Sequence, residues 1–211
     1  MINTQKIEIQ KLENSQIQMA SQVLGRAFNQ DPIFAYIAPK NLLAKAKLIE
    51  SSCQMLLRYS QCHNQIYTTK NEIKGIAAWI PPGYATDNIL RLFQAGIITV
   101  LLNIDIKQIL ISLSMLFTAE KYHKQMMKQP HWYLMMLGVS PDFQGQGIGG
   151  MLLEPVLQQA DIEGLPCYLE TSTQAAVRFY QRHGFEIVWN GELSPGSPQL
   201  WIMIREPKAK K

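Results

Sequence analysis

The chain has 211 residues, 47% of them hydrophobic and 17% charged, with a formal charge of +4. This length and balance fit one globular domain with a sizeable core and exclude a disordered or low-complexity chain. The charge is mildly basic, and much of it sits in the tail Lys208–Lys211. That tail reads as a solvated end, so neither nucleic acid nor membrane is expected as a partner.

The three cysteines, Cys53, Cys62 and Cys167, show no paired spacing, which suggests reduced thiols in a cytoplasmic protein. Cys62 and His63 are adjacent, but no second ligand pair follows, so no metal is expected. The first ten residues lack the apolar core of a signal peptide.

In chain order, KIEIQKL alternates apolar and polar residues and predicts a first strand. SQIQMASQVLGRAF carries apolar residues at helical spacing, with Ser15 as its N-cap. DPIFAYIAP reads as a proline-bounded aromatic connection, and a long helix is expected from about Leu42 to Tyr59. NQIYTTKNEIKGIAAWIPP predicts a hairpin turning at Lys-Asn-Glu. The run from Asn88 to Phe117 is the most apolar in the chain. Arg91, Asp105 and Lys107 interrupt it too often for a membrane span, which needs about 20 uncharged residues. It predicts two or three helices packed over a sheet. HWYLMMLGV reads as a buried strand and LPCYLE as another, with a helix between them that contains Pro155. Pro155 should kink that helix at a cost of roughly 3 kcal/mol. TQAAVRFYQRHG predicts a short helix closed by Gly184, and FEIVWNGEL and QLWIMIREP a final antiparallel pair.

The stretch SPDFQGQGIGGMLL places Gly145, Gly147, Gly149 and Gly150 just before a helix. Helix-terminal N–H groups freed of side chains suit a phosphate or pyrophosphate. The alternative is a tight turn with close helix–strand packing. A nucleotide P-loop needs Lys-Ser/Thr after its glycines, and Gly150-Met151 stands there instead. The dinucleotide fingerprint G-x-G-x-x-G is present at Gly145, Gly147 and Gly150, with Glu170 about 20 residues on. It fails on context. Five residues separate the strand from the first glycine, and the 61 residues after Gly150 are too few for a doubly wound sheet.

Gln144, Gly147 and Gly149 also fit (Arg/Gln)-x-x-Gly-x-(Gly/Ala), and Tyr180, Gly184 and Phe185 follow in AVRFYQRHGFEIV. These two signatures resemble the GCN5-related N-acetyltransferase (GNAT) superfamily. WYLMMLGVSPDFQGQGIGGMLLEP and CYLETSTQAAVRFYQRHGFEI are closest in motifs to puromycin N-acetyltransferase-like bacterial proteins. The dense resemblance covers about residues 132–206, and AFNQDPIFAYIAP and AAWIPPG match more loosely. Thr173 stands where many relatives carry asparagine.

The resemblance implies an α/β (α+β) fold. Its mixed, mostly antiparallel sheet splays at the cofactor site, with helices on both faces and a helical insertion at about 87–128 before the central strand. It implies one GNAT domain over 1–211 that transfers acetyl from acetyl-CoA to a primary amine. Leu137, Gly138 and Val139 would contact the pantetheine arm, Gln144, Gly145, Gln146, Gly147, Ile148, Gly149 and Gly150 the pyrophosphate, and Thr173 would support the cofactor. Tyr180 would protonate the departing sulfur, against the plainer reading of a core aromatic beside Ala176 and Val177. Glu170 is a base or substrate contact, or else a capping carboxylate. Asp31 binds a cationic acceptor or merely starts a turn. Phe34, Tyr36 and Trp79 are expected to wall the acceptor site, although aromatics at such places are often core. His131 and His183 read as surface or strand-end residues. The expected partner is a small-molecule amine, and a homodimer is open. A peptide or protein N-acetyltransferase and a non-catalytic CoA-binding sensor are the alternatives.

Overall fold

The computed structural model describes residues 7–84 and 89–208. The start of the expected helical insertion, at 87 and 88, and most of the basic tail lie outside the described residues. Seven strands form one sheet: β1 (Ile9–Lys11), β2 (Ile66–Thr69), β3 (Gly75–Ile80), β4 (Trp132–Val139), β5 (Cys167–Thr171), β6 (Glu186–Glu192) and β7 (Gln199–Arg205). Their order is β1-β2-β3-β4-β5-β7-β6. Every neighbouring pair is antiparallel except β4 and β5.

The helices are α1 (Ile17–Ala27), α2 (Pro32–Ile37), α3 (Leu42–Gln61), α4 (Ile89–Ala95), α5 (Ile97–Leu101), α6 (Ile106–Met126), α7 (Ile148–Glu163) and α8 (Gln174–Gln181). Alternating strand residues divide the core between two faces. Ala77, Leu134, Leu169 and Met203 pack with α7 and α8, whereas Ile76, Ala78 and Met136 pack under α1 and α3. α6 shares the α1–α3 face. It covers β5, β7 and β6 through Met115 on Leu200 and through Tyr122 beside Tyr168, Trp189 and Ile202. The apolar run, expected to form two or three helices, is thus α4, α5 and α6.

Local signals explain most boundaries. Asn41 caps α3 by accepting from the N–H groups of Leu43 and Ala44 at 3.0 and 3.1 Å. Asp105 and Gln108 cap α6 reciprocally at 2.8 Å each. Two expectations change. Ser15 is not an N-cap: residues 14–16 form a 3-10 turn in which the Gln16 side chain accepts from the Glu13 N–H at 3.0 Å, and α1 starts only at Ile17. The aromatic connection contains a helix, α2, because Asp31 caps it and Pro32 at its first position is already set for helical φ. α7 runs on across Pro155, with Leu152, Leu153, Val156 and Leu157 buried on the sheet.

Two irregularities of β4 shape the middle of the sheet. Trp79 pairs with Leu134 and Ala78 with Met136, so Met135 is an extra residue, a β-bulge. The β4–β5 ladder stops at Leu134–Leu169, although β4 continues to Val139 and β5 to Thr171. The sheet therefore opens at this point.

Candidate active site

Beyond Leu134 and Leu169 the facing edges of β4 and β5 have no ladder between them. Ser140 N–H bonds the Lys74 carbonyl at 2.8 Å. Antiparallel pairing alternates, so Gly138 and Met136 also turn their N–H groups to β3, and those of Leu137 and Val139 point into the opening. Gly138 has a packing reason: a Cβ there would lie 2.7 Å from Leu24 Cδ2 of α1.

On the α7 side the opening widens into a cavity of about 570 Å³, lined by Leu137, Val139, the glycine loop and the end of α8. The four glycines divide into two pairs. Gly145 and Gly147 are left-handed, at φ 76° and 77°, a conformation that suits glycine. A Cβ on Gly145 would meet nothing within 4 Å, and one on Gly147 only Met151 Cε at 3.9 Å. Gly147 is also the N-cap of α7 and offers no side-chain cap, so the helix presents its first N–H groups to the cavity. Gly149 and Gly150 instead admit α8: added Cβ atoms would stand 3.1 Å from Phe179 Cζ and 2.8 Å from His183 Nε2. The glycines thus serve two geometries: Gly145 and Gly147 leave the loop open, whereas Gly149 and Gly150 admit close packing of α8. Gln144 binds back to the Val139 carbonyl at 3.1 Å and fixes the loop to β4. Ile148 is buried and lines the cavity, whereas Gln146 is exposed and does not. Arg182 and His183, at the end of α8, also line it.

On the α1–α3 side lies a second cavity of about 600 Å³, lined by Asp31, Phe34, Met135, Glu170, Thr173 and Tyr180 among others. The two cavities share Leu137, Gly138, Val139, Gln144, Ala176 and Tyr180, so they meet through the sheet. Tyr180 is 7% exposed at that junction, and burial pushes its hydroxyl pKa up. It packs with Phe185 and Val177 in the core and lines both cavities. Glu170 is half-buried with both oxygens bonded: Oε1 accepts from Tyr168 and Oε2 from Tyr133, each at 2.8 Å. Burial pushes its pKa above the ordinary carboxylate value, while the two phenol bonds pull it down. It is not a cap for α8; Thr173 is, accepting from the Ala176 N–H at 3.2 Å. Thr173 lines the α1–α3 cavity and not the glycine-loop cavity.

The expected acceptor wall needs correction. Trp79 is fully buried in the α7 face of the core and reaches neither cavity. Tyr36 packs on Met115 and Leu200 beneath α6 and lines neither cavity. Only Phe34 is in place, 6.0 Å from Phe28 between ring centroids. Asp31 lines the cavity with its carboxylate engaged: Oδ1 accepts from the N–H groups of Ile33 and Phe34, and Oδ2 from Ser172. His131 is not a simple surface residue but bonds His123.

Residues 96–187 match the family model described as an acetyltransferase (GNAT) domain. This region, less than half of the chain's 211 residues, is similar to a GNAT acetyltransferase domain. The chain is 26% identical over 206 residues to an uncharacterised N-acetyltransferase of Schizosaccharomyces pombe, covering 95% of this chain and 83% of that one. It spans between 11% and 42% of the length of four further curated relatives. Solved structures share the GNAT fold. A histone acetyltransferase HPA2 and related acetyltransferase from Corynebacterium glutamicum superposes with TM-score 0.65 at 21% identity, covering 98% of this chain and 99% of that one. Arylalkylamine N-acetyltransferase 2 from Aedes aegypti does so with TM-score 0.63 at 15% identity, covering 97% and 100%. Domain, curated relative and fold together identify an N-acetyltransferase.

Several residues of this site have no clear motif signal in the sequence. Tyr168 lies two residues before Glu170 on the same strand face, a period-2 signal open to inspection. Tyr133 and Ser172 become partners only through strand pairing and the placement of α2, which no local pattern announces. Among the described residues no helix is long and apolar enough to cross a membrane.

Proposed function

We propose that this N-acetyltransferase moves an acetyl group from acetyl-CoA directly to the primary amine of a small molecule with an apolar body. The observation that carries the reading is the meeting of the two cavities at Leu137–Val139 and Tyr180. The residues on the α7 side fit the cofactor: open left-handed glycines, an uncapped helix N-terminus, and strand N–H groups without a facing strand. When bound, acetyl-CoA supplies the thioester that makes the acetyl group transferable. Gly145, Gly147 and the first turn of α7 hold its pyrophosphate, with Arg182 and His183 on the same wall. The N–H groups of Leu137 and Val139 align the arm and polarise the carbonyl.

Attack requires a neutral amine. Glu170, on the acceptor side of the opening, takes the ammonium proton. Its raised pKa brings it nearer the working pH of a general base. Tyr180 keeps its proton at neutral pH and gives it to the departing sulfur. The acceptor cavity is walled by Phe28, Ile33, Phe34, Leu56, Met135 and Leu200, which favours an amine on an apolar or aromatic frame. The arylalkylamine N-acetyltransferase among the structural neighbours supports the same class.

The test is free-thiol release from acetyl-CoA with a panel of phenethylamine, tyramine, puromycin, spermidine, kanamycin and a short peptide. Puromycin is included for the motif resemblance. Release stimulated most by the aromatic amines is expected. Stimulation only by the peptide would replace the small-molecule reading, and acetyl-CoA binding without stimulation by any amine would favour a sensor.

A further inference from the structure

A polar cluster stands behind Glu170, away from the acceptor cavity. Tyr133 donates to Glu170 on one side and on the other lines a separate cavity of about 420 Å³ between the end of α6 and the loop before β4. His123, His131, Glu120 and Lys124 stand on the wall of that cavity. The His123 ring is stacked 4.1 Å from Tyr168 and lies 4.9 Å from the Tyr133 ring. His123 Nε2 and His131 Nε2 are 2.7 Å apart, a hydrogen bond that holds one proton between two imidazoles.

The tautomers follow from the partners. His131 Nδ1 is 2.8 Å from the Gln129 carbonyl, which only accepts, so Nδ1 carries hydrogen. In the neutral pair His131 Nε2 then accepts and His123 Nε2–H donates, leaving His123 Nδ1 as the pair's basic nitrogen. A proton taken there moves the bridging hydrogen onto His131 and places the charge on the more exposed ring.

We propose that Glu170, Tyr133 and the His123–His131 pair form a proton exit route from the acceptor cavity to the second cavity. The route rests on the acetyl-transfer reading above. The acceptor ammonium gives one proton to the Glu170 carboxylate. The resulting acid donates its O–H to the Tyr133 oxygen, while Tyr133 turns its own O–H toward the second cavity. That hydrogen passes, directly or through water, to His123 Nδ1, and one proton leaves from His131 to solvent. One proton enters and one leaves, and Tyr133 remains a neutral phenol. Burial, with Glu170 beside it, pushes the Tyr133 hydroxyl pKa up, as a relay that never ionises requires. The groups facing Glu170 are Tyr133 from β4, Tyr168 from β5 and Glu120 from α6. Those facing His123 are Glu120 and Lys124 on its own helix, His131 and Tyr133 at β4, and Tyr168 on β5. Burial and His131 hold His123 at about 4, and burial lowers His131, so the pair rests neutral and passes a proton on to solvent instead of keeping it.

The experiment measures kcat against pH with acetyl-CoA and phenethylamine in dilute, non-nitrogenous buffer, for wild type, His131→Ala, His131→Gln, Tyr133→Phe and Glu170→Gln. His131→Ala should lower kcat about tenfold, below the 10²–10⁴ range of a direct acid or base because water bypasses part of the route. KM for acetyl-CoA should not change. Added imidazole should restore turnover in His131→Ala, and His131→Gln should match the loss while keeping a hydrogen-bonding side chain. Tyr133→Phe should lose turnover without rescue. Either His131 variant turning over like wild type at every pH, or a loss that imidazole does not relieve, overturns the route while leaving the acetyl-transfer reading intact. Wild-type turnover by Glu170→Gln removes the base and the route together. No turnover of phenethylamine by wild type removes the substrate reading on which both stand.

Discussion

Ser172, just past the end of β5, donates its hydroxyl to Oδ2 of Asp31, 141 residues earlier in the chain. The bond closes the acceptor cavity by tying α2 to the strand that carries Glu170. Asp31 at the same time caps α2 through its other oxygen. A carboxylate so engaged is expected to shape the cavity more than to bind a cation. Asp31→Asn, which keeps a capping oxygen, should leave the amine KM within about threefold, well under the tenfold that 1.4 kcal/mol of binding represents. Asp31→Ala should cost about 1–2 kcal/mol through the lost cap, read as a lower melting temperature. A tenfold or larger rise in amine KM for Asp31→Asn would restore the charge-binding role.

Tyr180→Phe separates chemistry from packing. The ring stays in its place against Phe185, so folding and acetyl-CoA affinity should hold. Turnover should fall by about 10²–10⁴-fold if the hydroxyl is the acid. Single-turnover kinetics with calorimetric acetyl-CoA binding reads both quantities. Wild-type turnover across pH would return Tyr180 to the core alone.

The glycines predict opposite phenotypes. Gly138→Ala places a methyl 2.7 Å from Leu24 Cδ2, and overpacking of this kind costs about 1–3 kcal/mol. Its signature is a lower melting temperature, by about 2–4 °C per kcal/mol in a chain of this size. Gly147→Ala meets almost no neighbour but sits at φ 77°, so it strains the loop that receives the cofactor. It should weaken acetyl-CoA binding about tenfold, or about 1.4 kcal/mol, with a smaller effect on melting. Isothermal titration and thermal melts of the two variants should cross over.

Arg205 is 3% exposed and bonds Asp161 of α7 through both terminal nitrogens at 2.8 and 2.7 Å. The guanidinium bonds hold the Asp161 pKa below its ordinary value. A carboxylate depressed in the folded state stabilises above its unfolded pKa, and that contribution disappears as pH falls through the folded one. The window is therefore below about pH 4. Asp161→Asn leaves a buried cation unpaired and should cost about 2–4 kcal/mol at pH 7, somewhat under the fully buried case because Asp161 is partly exposed. Melting curves of wild type and variant should converge as pH falls through that window; a constant gap would assign the loss to packing.

Much of this was legible in the sequence because the signals are local. Strand alternation, the helix after the glycines and Gly184 at φ 87° each depend on a few adjacent residues. The site was legible where the chain itself carries the geometry, as at Gly145 and Gly147. It was not legible where distant strands decide. Trp79 and Tyr133 are both aromatic strand residues, yet one fills the core and the other meets Glu170, and only the sheet face separates them. Asp31-Pro32 reads as a turn from composition, but its helix needs the Ile33 and Phe34 amides to be met by a capping oxygen.

The bulge at Met135 decides which side of the sheet each later residue of β4 occupies. Trp132 and Leu134 face α7 before it, and Leu137 and Val139 do so after it. Even positions give way to odd ones across a single extra residue. Were the same residues to run as a regular strand, Gly138 would turn toward α7 and a branched side chain would be driven against Leu24 and Ala27, where there is no room for a methyl. Loss of Met135 itself would only shorten the strand, because Leu134 and Met136 would then alternate and every later residue would keep its face. A one-codon deletion at Met135 is thus absorbed, whereas straightening β4 at its full length exchanges core for cavity along the rest of the strand.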